Sequence, residues 1–415
     1  MRVLILSLNY RPESTPGHYT SDLAVHLKKC GHDVRVATAF PTAPQFKVWD
    51  GYEGRLWMRE VIDGVPVLRT YLYVPKNPRK TLQRILFDTS FAVSSLIGQL
   101  FSKRVDLIVV ISPPLQLGLT GWLLGILNRA PFFFHIKDLV PDVAAAVGMM
   151  NEKGWAFRVG RAMERFVYKR AKGIGVISSG FRSNLVAKGV PAEKIAIFPD
   201  YIDPQMIQPG PMVNGFRSTH GIDPESFLVM YSGSVSAKQG LHTLLEAADR
   251  LRSERDVVFY LIGEGSYLDE LKAQHRKLGL PNVCFLPLQP RELMSKQFAA
   301  ANILVVTQKK TITDMVFPNK LLFYMAAARP VLAAVSAGSE TARFITENRV
   351  GVVVPAEDPQ ALAAAIQQMK ADFQNAQQLG ENARRVCIRE FDRNAVLANF
   401  GTRLETLGKD ARNQD

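Results

Sequence analysis

Cysteine is scarce in this chain: Cys30, Cys284 and Cys387 stand far apart and form no C-x-x-C pair. That spacing excludes a disulfide framework and a cysteine-held metal cluster, and it suits a reducing compartment. Glycine is missing where a dinucleotide would need it. The segment from Asn9 to Tyr19, after the first strand-like run, holds Gly17 alone, whereas a dinucleotide turn uses three glycines, so NAD binding is disfavoured. No Gly-Lys-Ser/Thr loop and no Asp-x-Asp occur, which argues against a Walker nucleotide site and against a carboxylate-held metal. No zinc spacing or RNA-binding aromatic signature accompanies the scattered basic residues, so nucleic acid is a poor partner.

Negative charge is short in one half only. Residues 1–198 carry 27 Lys and Arg against 14 Asp and Glu, while residues 199–415 carry 24 against 24, so the whole formal charge of +13 belongs to the first half. Such asymmetry points to an anionic partner for that half, a membrane surface or a phosphorylated lipid. Long apolar runs are also rare. The opening MRVLILSLNYRP is too short in its apolar part for a secretory signal core and reads as a strand. Residues 107–128 are long enough to raise the question of a membrane span. Pro113, Pro114 and Gln116 interrupt them, so strand, turn and buried helix is the better account.

What is present is an alternation of strand-like and helical segments. With 47% apolar and 21% charged residues over 415 positions, the chain has the material for two cores. Strands are expected at Val3–Leu8, Val34–Thr38, Leu107–Ile111, Phe132–Ile136 and Ile174–Ile177. A second series is expected at Phe227–Tyr231, Val257–Ile262, Val283–Leu286, Ile303–Val306, Val331–Ala334 and Gly351–Val354. The fold class is α/β, two Rossmann-like doubly wound domains over 1–198 and 199–388, joined through the Pro-rich residues 199–211. Residues 389–415 form an amphipathic closing helix whose docking partner the spacing leaves open.

Three stretches carry candidate chemistry. In Phe317-Pro318-Asn319-Lys320, Pro318 fits a first helical turn, and the amides of Asn319 and Lys320 with the lysine ammonium make an anion site; an ordinary buried helix with a solvated lysine is the alternative. Tyr231-Ser232-Gly233-Ser234 through Lys238 and Gly240 is a glycine-bearing loop between strand and helix, a phosphate-binding arrangement, and Gly263 and Gly265 form a second such turn. His135 and Asp138 sit where a strand ends, the ligand side of an open α/β sheet, although a lone histidine is often structural. Gly17 allows close backbone approach to a ligand or serves helix entry. Residues 76–104, with Lys76, Arg79, Lys80 and Arg84 before an apolar helix and Lys103-Arg104 after it, read as a membrane-surface helix or as a core helix with charged ends.

The order of NYRPE…GHYT, YLYVPKNP, FFFHIKDLVPD, YSGSVSAKQGL, Gly263-Glu264-Gly265 and FPNKLLFYMAAARPV over nearly the whole chain resembles a GT-B retaining glycosyltransferase of family 4, of the bacterial exopolysaccharide branch typified by the colanic-acid fucosyltransferase type. The resemblance implies a C-terminal domain that holds a GDP- or UDP-linked sugar and an N-terminal domain that holds a polyprenyl-diphosphate-linked saccharide, with no cofactor or metal. It implies that His135 contacts the donor sugar and that Lys238 neutralises the leaving diphosphate. The amides of Asn319 and Lys320 would hold the sugar or distal phosphate, and backbone from Leu286 to Leu288 would frame the base. Separately, the charge asymmetry motivates a cytoplasmic enzyme attached to the inner face of the cytoplasmic membrane through residues 76–104. Two departures stand out. Ser234 replaces the arginine that usually precedes the lysine, and Met315 and Phe323 replace a glutamate pair, with Asp314 available for the first glutamate's contact. A nucleotide-sugar 2-epimerase and an inactive scaffold of the same fold are the rival readings.

Overall fold

The computed structural model describes residues 1–13, 17–43, 45–77, 80–139, 142, 154–311 and 318–412. The chain divides into two compact units, Met1–Pro199 with Val396–Asp415, and Asp200–Ala395.

The first unit is built on strands β1 (Arg2–Ser7), β2 (Asp33–Ala39), β3 (Trp57–Ile62), β4 (Val65–Thr70), β5 (Leu107–Ser112), β6 (Phe132–Ile136), β7 (Gly173–Val176) and β8 (Ile195–Ile197). Helices α1 (Gly17–Lys29), α2 (Thr81–Leu100), α3 (Leu117–Asn128), α4 (Trp155–Arg170) and α5 (Ser179–Ala187) alternate with them. The sheet order is β3-β4-β2-β1-β5-β6-β7-β8, parallel except for the β3–β4 hairpin. β5 is buried at every position, as a strand covered on both faces must be. The apolar run 107–128 thus divides into β5 and α3, and no helix of the described residues is long and apolar enough to cross a membrane.

The β3–β4 hairpin is an addition to the expected strands. Asp63 and Gly64 turn it with φ of 51° and 73°, the pair of positive values that Asp-Gly supplies in a tight hairpin. Its alternating exposure on β3 explains why an apolar run does not announce it.

The second unit carries β9 (Phe227–Ser232), β10 (Val257–Ile262), β11 (Val283–Leu286), β12 (Ile303–Thr307), β13 (Val331–Val335) and β14 (Gly351–Pro355). Its helices are α6 (Gly215–Thr219), α7 (His242–Arg250), α8 (Leu268–Leu278), α9 (Met294–Ala300), α10 (Asn319–Ala326), α11 (Glu340–Glu347), α12 (Pro359–Ala371) and α13 (Phe373–Phe391). The all-parallel order β11-β10-β9-β12-β13-β14 changes direction at β9, so the loops leaving the carboxyl ends of β9 and β12 diverge and open a crevice.

The closing segment is not one helix from Arg389. It breaks at Asp392, whose carboxylate accepts the Ala395 N–H at 2.9 Å and starts α14 (Arg393–Arg412). From Val396 onward α14 packs on the first unit, with Phe400 stacked on Phe198 at 4.2 Å.

Candidate functional site

Glycines set the crevice of the second unit. β9 runs into Gly233, whose φ of +141° disfavours any side chain. The Gly233 N–H donates to Ile262 O at 2.9 Å and the Val235 N–H to Glu264 O at 2.8 Å, so the loops after β9 and β10 continue to pair. A Cβ on Gly263 would lie 1.9 Å from Gly233 O, and one on Gly265 would lie 2.1 Å from Val235 O. The two loops are in backbone contact, and only glycine permits it. Ser234 and Lys238 stand exposed on this framework, and Lys238 O accepts the Lys309 N–H at 3.0 Å, which ties the loop to the end of β12.

α10 enters from the other side. Pro318 is its N-cap rather than part of its first turn, with extended backbone and no side-chain cap, so the missing N–H lies just outside the helix. The first-turn amides of Asn319 and Lys320 have no partner inside the helix, and the helix dipole makes that end favourable to an anion. The Lys320 side chain passes the Gly233 backbone, where an added Cβ would lie 3.3 Å from its Cε. Its Nζ donates to the Tyr231 hydroxyl and to Gln239 Oε1 at 3.3 Å, and it lies 3.8 Å from the centre of the Tyr231 ring. Tyr231 in turn donates to Ser234 O at 2.7 Å. Burial, and then the charge of Lys238, lower the Lys320 pKa to about 7.

Tyr324, one turn beyond Lys320, clamps the same strand end: its hydroxyl accepts the Ser232 N–H at 2.9 Å and donates to Ser232 O at 3.0 Å. Tyr231 and Tyr324 are site residues that sequence reasoning missed. The available signal was the four-residue spacing from Lys320 to Tyr324, which puts both on one helix face. Leu288 lies exposed beyond β11, whose Leu286 O accepts the Gly263 N–H at 3.1 Å. Phe323 points its ring toward Phe298, 6.5 Å between centres, and packs against the core of this unit. Asp314 and Met315 lie outside the described residues.

The crevice therefore gathers Gly233, Ser234, Lys238, Gly263, Pro318, Asn319 and Lys320. Two lysines and a helix start around a close-packed glycine framework can hold a polyanion of diphosphate size, because oriented amides and cations need no rearrangement to meet it.

The remaining candidates are in the first unit. Gly17 opens α1, and a Cβ there would lie 2.8 Å from the Tyr10 carbonyl carbon, so helix entry against the chain itself accounts for the glycine. His135 is 5% exposed, with its ring 5.0 Å from that of Phe400 and 6.3 Å from that of Phe198. Burial first, then Lys137, push its pKa down to about 3, so the imidazole is neutral at physiological pH. The strand position left ligand contact and a structural role both open; the ring lies against the aromatic pair of Phe198 and Phe400. The group presented at the strand tip is Lys137, a residue sequence reasoning did not single out, whose ammonium stands 3.5 Å from the centre of the Tyr19 ring on α1. Asp138 beside it is exposed.

Comparison with known proteins agrees with this architecture. Residues 14–200 match the family model described as glycosyl transferase 4-like domain, and residues 214–386 match glycosyl transferases group 1. The chain is 32% identical over 376 residues to the putative colanic acid biosynthesis glycosyl transferase WcaI of Escherichia coli, covering 89% of this chain and 92% of that one. It is 23% identical over 268 residues to the probable glycosyltransferase WbjE of Pseudomonas aeruginosa, 65% and 67% of the two chains. Among solved structures, sucrose-phosphate synthase of Thermosynechococcus elongatus superposes with a TM-score of 0.76 at 19% identity, covering 98% and 99% of the chains. Anabaena HepE in complex with UDP gives 0.72 at 18% identity, covering 98% and 100%. With its glycine-framed crevice and paired α/β units, this chain belongs to the family 4 glycosyltransferases of the GT-B fold.

Proposed function

We propose that the chain is a retaining hexosyltransferase that moves a sugar, fucose or a related hexose, from a GDP- or UDP-linked donor to a polyprenyl-diphosphate-linked saccharide in exopolysaccharide or lipopolysaccharide assembly. The observation that carries the donor half is Lys320, fixed by Tyr231 and Gln239 against the Gly233 loop with Lys238 nearby. Negative charge grows on the departing diphosphate, and preset cations and helix-end amides stabilise it more than they stabilise the intact donor. In this reading Lys238 and Lys320 meet the leaving group, Asn319 and Lys320 bring helix-start amides to it, and Ser234 replaces a charged neighbour with a hydroxyl. The same groups support departure without a metal or a resident cofactor. Retention follows from attack on the face the diphosphate leaves, with that diphosphate taking the acceptor's proton. His135, neutral in its aromatic enclosure, supports the first unit from within, and Asp314 is the carboxylate assigned to the sugar.

The acceptor half is supported by relatives named for colanic acid, O-antigen and lipopolysaccharide core synthesis. A lipid-linked acceptor places the enzyme at the inner face of the cytoplasmic membrane, and residues 76–104 are the segment through which it attaches. An inactive scaffold is favoured by the missing glutamate pair, with Met315 and Phe323 at the two carboxylate positions. Calorimetric titration with UDP and GDP, followed by a panel of nucleotide-sugars read by mass spectrometry, tests the proposal. Heat of binding and transfer from at least one donor are expected. No heat with either nucleotide would sink the donor site, and binding without transfer from any donor would select the scaffold.

A further inference from the structure

α2 is an amphipathic helix with its faces exchanged. Toward the unit's interior it turns Phe87 and Phe91 but also Asp88, Ser95 and Gln99, all buried. Outward it turns an apolar stripe of Leu82, Leu86, Val93, Ile97 and Leu100, each at least 46% exposed, and Phe101 follows at 93%. α3, packed beside it, exposes Leu123, Ile126 and Leu127. Water does not favour such a surface, and contiguous apolar area on a folded unit marks a place that something covers.

At the foot of α2 a groove of about 580 Å³ opens against the β3–β4 hairpin. Its walls carry three cations, Arg35, Arg59 and Lys103, beside the apolar Val61 and Phe101. The carboxylate there, Glu60, is already engaged by the buried Arg69. Two polar atoms on these walls are buried with no partner: Nε of Arg35, a donor, and Oε1 of Gln99, an acceptor on a side chain only 6% exposed. Buried polar atoms are ordinarily paired, so an unmatched donor and acceptor in one cationic groove point to a ligand that offers both an anionic oxygen and a hydroxyl.

We infer that this groove is a headgroup site for an anionic glycerophospholipid, with the phosphate on Arg35, Arg59 and Lys103 and a headgroup hydroxyl on Gln99, while the α2–α3 stripe enters the bilayer surface. The C-terminal part of the stripe, Ile97 and Leu100, adjoins the cations, because α2 ends at Leu100 and Phe101 and Lys103 line the groove. A lipid satisfies both at once, its acyl chains against the stripe and its phosphate in the groove. This inference rests on the membrane part of the proposed function and not on its donor chemistry.

The test is co-sedimentation of the full chain with phosphatidylcholine vesicles, alone or mixed with phosphatidylglycerol or with phosphatidic acid, which lacks the headgroup hydroxyl. Phosphatidylglycerol vesicles should bind best. Arg35→Gln and Arg59→Gln should each lower that binding about fivefold, the loss expected for one basic residue at an anionic surface. Ile97→Asp with Leu100→Asp should lower binding to all vesicles. Arg59 lies exposed on the edge strand, so its variant keeps the test open if Arg35→Gln does not fold. Equal losses from Arg182→Gln, an exposed cation on α5, would reduce the effect to general electrostatics and overturn the headgroup site. So would release from vesicles by millimolar inorganic phosphate, which would mark a free-anion site. Nucleotide titration of the same samples separates the failures: nucleotide binding without vesicle binding removes the docking surface alone, and vesicle binding without nucleotide binding removes the donor site alone.

Discussion

The two units share one construction rule and differ in where they leave their surplus. In the second unit the charges balance, and among the described residues only four large apolar side chains are exposed, Val213, Leu288, Leu293 and Ile388. Its special feature is internal, a pair of loops in backbone contact through Gly233, Gly263 and Gly265, against which Tyr231 and Gln239 fix Lys320. The first unit contains the remaining 17 of the 21 exposed large apolar side chains, and residues 1–198 carry all of the net positive charge. An anionic ligand in a crevice needs a few fixed charges with little freedom. An anionic surface needs area and many loosely held charges, since each contributes only about 1 kcal/mol.

Four experiments can break or sharpen that contrast. The largest effect belongs to Lys320→Ala, which removes the ammonium aimed into the crevice; transfer should fall roughly 10²–10³-fold, as for loss of one preset charge-stabilising donor. Vesicle binding by the same variant should not change, and a parallel loss there would dissolve the division of labour. Next is Gly263→Ala. Its Cβ would sit 1.9 Å from Gly233 O, and the two loops must separate, so stability measured by denaturant unfolding should drop by about 1–3 kcal/mol with nucleotide affinity falling alongside.

Nucleotide affinity should also depend on pH. Burial and the charge of Lys238 lower the Lys320 pKa to about 7, and an arriving diphosphate favours its charged form. Binding therefore takes up a proton above pH 7, and affinity should weaken by up to about tenfold per pH unit there while changing little below. Calorimetry across pH 6 to 9 in buffers of different ionisation enthalpy reads this directly, and Lys320→Arg should flatten the profile because a guanidinium stays charged. A flat profile in the unaltered chain would mean that the ammonium is not what the diphosphate meets.

The smallest effect lies in the first unit. Asp88 faces inward from α2, and burial raises its carboxyl pKa to about 6 from 3.8. The folded state then holds its proton more tightly than the unfolded state, so stability is lost as pH rises from about 4 through 6 and stays lower above. Asp88→Asn should be more stable than the unaltered chain at pH 8 and about equal to it at pH 4, seen as a shift in unfolding midpoint. No shift at pH 8 would mean that this face of α2 is wetter than its packing suggests.

Much of this was readable in the amino-acid order. Parallel strands buried on both faces appear as unbroken apolar runs, so all the expected strands of both series are present. Lys320 and Gly233 were legible as a helix start and a strand-end loop. The β3–β4 hairpin was less legible because Trp57 and Val61 are exposed and its pattern alternates, leaving the Asp63-Gly64 turn as its one sharp signal. The sequence left His135 open between ligand contact and a structural role because a strand's end has two faces, and which one a side chain takes depends on what covers them. Here the cover is Phe400, far along the chain.

Sequence alone determined the α/β alternation, the two-unit division and the polarity of charge between the halves, since these depend on local periodicity and composition. Tertiary structure decided that Tyr231 holds Lys320 in place, that α14 encloses His135, and that α2 turns its aliphatic stripe outward. Each of these joins residues distant in the chain, and a helical period fixes which side chains share a face but not which face meets the core.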